Sequence, residues 1–201
     1  GFVTLDGSLA FKKAIGDFVL NNGGVSDTTT LAGANYLEVG GSVSSAFAGV
    51  GGIGFELTDV TFGMVMVSTG GVTPVNYLSL KADVADASLV GISGLTAVVS
   101  SLSVQVNKTS DAVATNKVLD FSGTSRVIAT GPSSSDVTLD MDGSEGALLQ
   151  VMADLELDVF GFVTLDGSLA FKKASGDFVL TDGSTHTSTA LSNVGYLEVG
   201  G

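Results

Sequence analysis

The chain has 201 residues, enough to bury a substantial core, with 44% hydrophobic and only 14% charged residues. A net charge of −13 and a pI near 4.1 exclude a nucleic-acid partner, because nothing is available to neutralise phosphates, and they disfavour an anionic membrane surface. The absence of cysteine rules out disulfides and thiolate metal sites, and no apolar run reaches the roughly 18–20 residues needed to insert across a bilayer.

Residues 1–20, GFVTLDGSLAFKKAIGDFVL, return as residues 161–180 with a single change, Ile15 to Ser175. The match runs on at an offset of 160 to the end of the chain, and the other differences all fall in residues 21–35. Residues 1–160 therefore read as one complete tandem repeat, and 161–201 as the start of the next, continuous with it rather than a separate domain. The chain opens inside a repeat, so its first residues carry no information on targeting. From Leu155 to Phe171 the odd positions are apolar or glycine and the even ones mostly polar. That period of two predicts extended β-structure with one apolar face. The stretch is long for one strand, so two strands are expected to meet at Gly161 or Gly167. Phe160 and Phe162 interrupt the polar face and are expected to pack against a neighbouring layer.

Residues 21–35 are polar and Gly-rich, and their counterpart has drifted while its flanks have not, which predicts a surface loop. The tetrad Tyr36–Val39 returns as Tyr77–Leu80, Val118–Phe121 and Tyr196–Val199, at spacings of 41, 41 and 78 residues. Residues 54–66 echo in 94–106. A subrepeat of about 40 residues is thus nested within the larger one. Residues 70–74, 108–116 and 130–133 read as turns, and 136–141 as an added strand. Ser144 to Asp154 is the best candidate helix, with a poor apolar stripe. The pattern predicts an all-β tandem array, a β-solenoid or stacked β-hairpins, with a string of discrete β-domains as the alternative. Four stacked coils would separate Phe2 from Phe162 by about 20 Å.

Asp140, Asp142 and Glu145 flank a glycine turn in DMDGSE and are candidate calcium ligands, since hard cations take several oxygen ligands. The full EF-hand pattern is missing, so a solvated acidic turn is the competing reading. Residues 51–58 carry the glycines of a calcium-binding nonapeptide only once, which fits a Gly-rich strand entry better. His186 is the only histidine, and its counterpart is Ser26. A base needed in every unit would not be exchanged in this way, which argues against a Ser-His-Asp triad. Asp154, Glu156 and Asp158 share one strand face, where they fit solvent-side residues better than the paired carboxylates of a glycosidase. Lys12 and Lys13 recur as Lys172 and Lys173, to pair with acids or guard an edge. Asn107-Lys108-Thr109 fits a glycosylation sequon.

The blocks GFVTLDGSLAFKKASGDFVL, SAFAGVGGIGFELTDVTFG and RVIATGPSSSDVTLDMDGSEG resemble repeat units of giant bacterial extracellular, adhesin-like proteins. The resemblance implies cell-surface display, tandem β-repeats and a structural or adhesive role. The expected function is a non-enzymatic segment of a long extracellular fibre, stalk, sheath or adhesin. Its partners would be neighbouring copies of the same repeat, in the same chain or laterally. The alternative is a carbohydrate-active β-helix enzyme or sugar-binding module, against which the lack of Trp and the presence of only 3 Tyr count.

Overall fold

In the computed structural model the chain is all-β, and residues 2–22, 28–111, 117–132, 134–181 and 188–201 are described. Five long strands follow one another as hairpins: β1 (Val3–Asn21), β2 (Thr29–Val50), β3 (Ile53–Ser68), β4 (Asn76–Val90) and β5 (Leu95–Thr109). Three short strands follow, β6 (Val118–Leu119), which pairs with the end of β1, and β7 (Arg126–Ile128) and β8 (Val137–Leu139), which stand apart from the sheet. The chain returns as β9 (Leu148–Val159), β10 (Val163–Thr181) and β11 (Ser188–Gly200). Among the described residues the order is β11-β10-β9-β5-β4-β3-β2-β1-β6 in one antiparallel sheet, and β7 pairs with β8 apart from it. The sheet is not closed into a barrel.

Two of the sequence echoes fall on successive hairpins of this sheet, whereas Val118–Phe121 falls on β6 and the segment beyond it. Tyr36–Val39 lies in β2 and Tyr77–Leu80 in β4, while 54–66 lies in β3 and 94–106 in β5. Neighbouring strands run antiparallel, so no parallel coil forms. Six strand-to-strand steps separate β1 from β10, about 29 Å along the sheet at ~4.8 Å per step, in place of four coils. The sheet also curls. A Cβ on Gly146 would lie 3.0 Å from Ser175 of β10 and 3.9 Å from the Asn22 carbonyl oxygen beyond β1, so one turn bridges both.

The core lies under one half of one face, hereafter the inner face. Phe18, Leu20, Tyr36, Val65, Val67 and Tyr77 point into it from the sheet, and Leu119, Phe121, Ile128, Leu139 and Met141 cover them from below. The inner face bears acids beyond that cover, on β3, β4, β9 and β10. The opposite, outer face is mostly apolar, with lysines only near the strand ends, where Lys13 and Lys108 lie in one row with Leu37, Met66 and Leu78. One row runs Leu9, Gly41, Phe62, Ala82, Val104 and Val151 across β1 to β9, and a second runs Leu5, Ala46, Leu57, Ala87, Val99 and Leu155. In β3 the apolar positions change from even to odd between these rows. Asp59 sits at the change with φ of 46°, and β5 changes phase at Ser101, with φ of 52°. Ser101 lies in a bulge of β5 against β9, whereas Asp59 turns β3 without a register shift, and both keep each apolar set on one side.

Several expectations change. Two strands do meet at Gly161, in a turn where Phe160 and Gly161 both have positive φ. Phe160 and Phe162 are exposed in that turn rather than packed in a layer, although the Phe160 ring does close over Gly94. Ser144–Asp154 is not a helix: a short 3-10 turn spans Gly143–Glu145, and β9 begins at Leu148, where period two outweighs weak helical patterning. Residues 21–35 hold the end of β1 and the start of β2, so the loop is shorter than expected. Lys108 lies in β5 rather than in a turn. The sequon asparagine is fully buried. Asn107 accepts a hydrogen bond from the Ser79 hydroxyl at 2.8 Å and donates its amide to the Leu119 carbonyl at 2.7 Å, tying β6 beneath β4 and β5. In the folded chain it offers no acceptor for a glycan.

Asn107→Ala would orphan both buried partners. Urea unfolding of this variant should show a loss of about 2–4 kcal/mol, while Ser79→Ala, which leaves the Leu119 carbonyl satisfied, should cost less.

Candidate functional site

The expected calcium ligands are neighbours in sequence and each has a different partner. Asp140 pairs with Lys81 at 3.2 Å. Asp142 caps the 3-10 turn, accepting from the Ser144 amide at 2.8 Å. Glu145 takes an ion pair from Lys172 of β10. Among the described residues no three His, Asp or Glu side chains come together as a metal group. Gly51 and Gly52 form the two-residue turn of the β2–β3 hairpin, both with positive φ, as a type I′ turn requires. His186 and Ser26 lie outside the described residues. Asp154 accepts from the Ser168 hydroxyl at 2.7 Å and Asp158 caps the β9–β10 turn at the Gly161 amide. With Glu156 between them they line an open strand face and do not converge. A cavity of about 630 Å³ lies at the strand ends among Lys13, Met66, Leu78 and Lys108, and no carboxylate or histidine lines it.

The chemistry that the chain does concentrate is a clamp between β7 and the inner face of β1–β2. Phe18 and Tyr36 meet edge to face, with centroids 5.4 Å apart. The Arg126 guanidinium lies 4.4 Å from the Tyr36 centroid and 4.9 Å from that of Phe18, and its Nε donates to the buried Glu38 carboxylate. Lys12 reaches the second oxygen of Glu38 at 3.4 Å. Strand pairing places Lys12 opposite Glu38, and alternation places Tyr36 and Glu38 on the same face. Stacking on rings and a charge-assisted hydrogen bond to a buried acid together make Arg126 the bolt holding the covering layer.

A second fastening is Asp120, just beyond β6. It accepts from the Ser122 amide and hydroxyl, the Gly143 amide and Asn21. Burial pushes its carboxyl upward, but these hydrogen bonds outweigh burial and hold it below its ordinary value of 3.8. Neither Arg126 nor Asp120 stands out in the sequence. Arg126 has no charged neighbour, and its partner Glu38 is 88 residues away.

The same platform recurs at the other end of the sheet. Phe178 and Tyr196 meet edge to face at 5.5 Å, Lys172 lies opposite Glu198, and the register slips between Gly176 and Phe178 as it does between Gly16 and Phe18. No family model, curated protein or solved structure matches the chain.

Arg126→Ala should lower stability by about 2–4 kcal/mol in chemical denaturation, because Glu38 would stay buried with only an exposed lysine. Arg126→Lys should recover little, lacking the planar stack. Asp120 has a depressed pKa, so its contribution is complete above pH 3.8 and drains away as pH falls below it. Asp120→Asn should therefore be less stable than wild type at pH 7 by about 1–2 kcal/mol, and the gap should narrow on titration to pH 3.

Proposed function

We propose that the chain is a structural segment of a long extracellular fibre, stalk, sheath or adhesin, built as stacked β-hairpins in one sheet that continues from repeat to repeat. The observation that carries this reading is the pairing of the duplicated strand. In β10, residues 163–173 pair with β9 on one side, while β11 lies on the other. The identical residues 3–13 of β1 have β2 on one side and, among the described strands, none on the other. The opposite mismatch occurs at the far end: β2 pairs with β3 along its outer edge, whereas β11 has no outer partner. Each edge bare at one end is therefore covered at the other by a strand from within the repeat. β6 pairs with β1 only at Leu20 and Asn21, which leaves residues 3–13 open for a counterpart of β9.

The acidic inner face supports solubility of a long array, and the resemblance of the repeated blocks supports display outside the cell. The role is mechanical: backbone ladders and the covering layer transmit load between units, and no chemistry is required of the side chains.

Chains carrying several repeats, imaged by electron microscopy, should appear as smooth rods with one feature per 160 residues. Compact beads joined by visible linkers, each roughly 40 Å across, would overturn the continuous sheet and favour discrete domains.

A further inference from the structure

The duplicated platform is covered in one copy and bare in the other. Phe18 and Leu20 are 4% and 5% exposed, whereas Phe178 and Leu180 are 41% and 55% exposed. Tyr36 is buried and Tyr196 only partly so, and Glu38 is buried while Glu198 is exposed. The sequences, the ring geometry and the register are the same in both places. What differs is the layer formed by residues 118–141, which lies under β1–β2 and has no equivalent under β10–β11.

We infer that the inner face of β10–β11 is a docking site for residues 118–141 of a following copy of the repeat, with that copy's equivalent of Arg126 stacking on Phe178 and Tyr196 and bonding Glu198. The proposal rests on the array reading but goes further, because a sheet could continue from unit to unit without every unit carrying a covering layer. The occupant is fixed by the first copy, where this same platform already holds this same segment. Charge agrees: Glu198 has Lys172 opposite it, but Lys172 is drawn to Glu145, whereas Lys12 turns to Glu38. Glu198 keeps an electrostatic attraction to Lys172, whose ion pair goes to Glu145, so its exposed carboxylate can take an incoming guanidinium. Apolar area agrees too, since Phe178 and Leu180 fill no core of their own.

The joint has a direction. β1–β2 receives its cover from its own unit, 100 residues downstream in sequence, so each repeat is completed by material that follows its first hairpin. A chain cut after β11 ends on an unfinished platform, which the counterpart of residues 118–141 in the unit begun at residue 161 would complete.

The test is a chain extended by a second copy of residues 42–201 placed after Gly201, compared with the 201-residue chain. Hydroxyl-radical footprinting reads the side chains of Phe178, Leu180 and Tyr196, and amide exchange reads the outer edge of β11. Both should fall in the extended chain, footprinting by about fivefold or more, to the levels of Phe18, Leu20 and Tyr36. Phe178→Asp should leave the 201-residue chain folded, because that position is already exposed, but abolish the footprinting protection in the extended chain. If the β11 amides become protected while Phe178 and Leu180 stay reactive, the docking proposal fails and the continuous sheet stands. If neither changes, both fail.

Discussion

A single sheet cannot keep its apolar residues from water, and half of this one is held by the layer that crosses beneath it from Val118 to Met141. Leu119, Ile128 and Leu139 are fully buried there, against Val65 and Val67. The approach is close because the sheet offers glycine at two points. A Cβ on Gly40 would lie 2.1 Å from the Ala129 carbonyl oxygen, and one on Gly63 would lie 2.9 Å from Val137. At these places β7 and β8 rest on backbone rather than on side chains. The Arg126 clamp, the Ser79–Asn107 ladder and the Asp120 knot are the polar fastenings of that contact. Each is long-range in sequence, so the layer cannot form before the hairpins that it covers.

The two faces of the sheet obey different rules. The inner face changes character along each strand, from apolar under the cover to acidic beyond it. The outer face stays apolar along most of each strand and carries lysines, Lys13, Lys108 and Lys173, only near one end. Leu5, Phe11 and Phe55 are each about two-thirds exposed on it, and among the described residues no second layer lies over it. Holding this asymmetry requires a phase shift in the middle strands, because a regular strand keeps one parity throughout. Asp59 and Ser101 supply it with left-handed backbone, a conformation that costs energy in a non-glycine residue and is stabilised only by the surrounding ladder.

The repeat and the period of two made much of this legible in advance. They located β1, β10 and the β9–β10 turn, because those features depend on local alternation, whereas the 40-residue spacing fits solenoid coils and stacked hairpins alike. The segment between Val118 and Glu145 was read only as strands and turns, since its role depends on contacts with residues about 100 positions away. The same limit hid Asn107, which as a sequence looks like a surface sequon and in the fold is the most deeply held amide. The poor helical stripe of Ser144–Asp154 reflects the start of β9, where Leu148 and Leu149 are adjacent and alternation is weak. The acids Asp140, Asp142 and Glu145 formed a motif on paper, but backbone geometry sends each to a different partner.

Divergence between the two copies follows contact rather than exposure. Residues 21–35 carry 12 of the 13 differences between the copies, and they include paired positions such as Ala34 and Asn35. Phe178, Leu180, Tyr196 and Glu198 retain the identities of Phe18, Leu20, Tyr36 and Glu38, although water reaches most of them in this chain. An exposed phenylalanine beside an exposed leucine on an open sheet has no reason of its own to persist, since any polar residue would serve as well. The one change in the first twenty positions also lies at a contact. Ser175 is pressed by Gly146, whereas Ile15, in the copy without that neighbour, is 69% exposed. A side chain is small where the adjoining turn crowds it and large where the turn is missing. The residue pattern of each hairpin therefore carries an imprint of what sits beside it, and the pattern of β10–β11 is that of a covered platform.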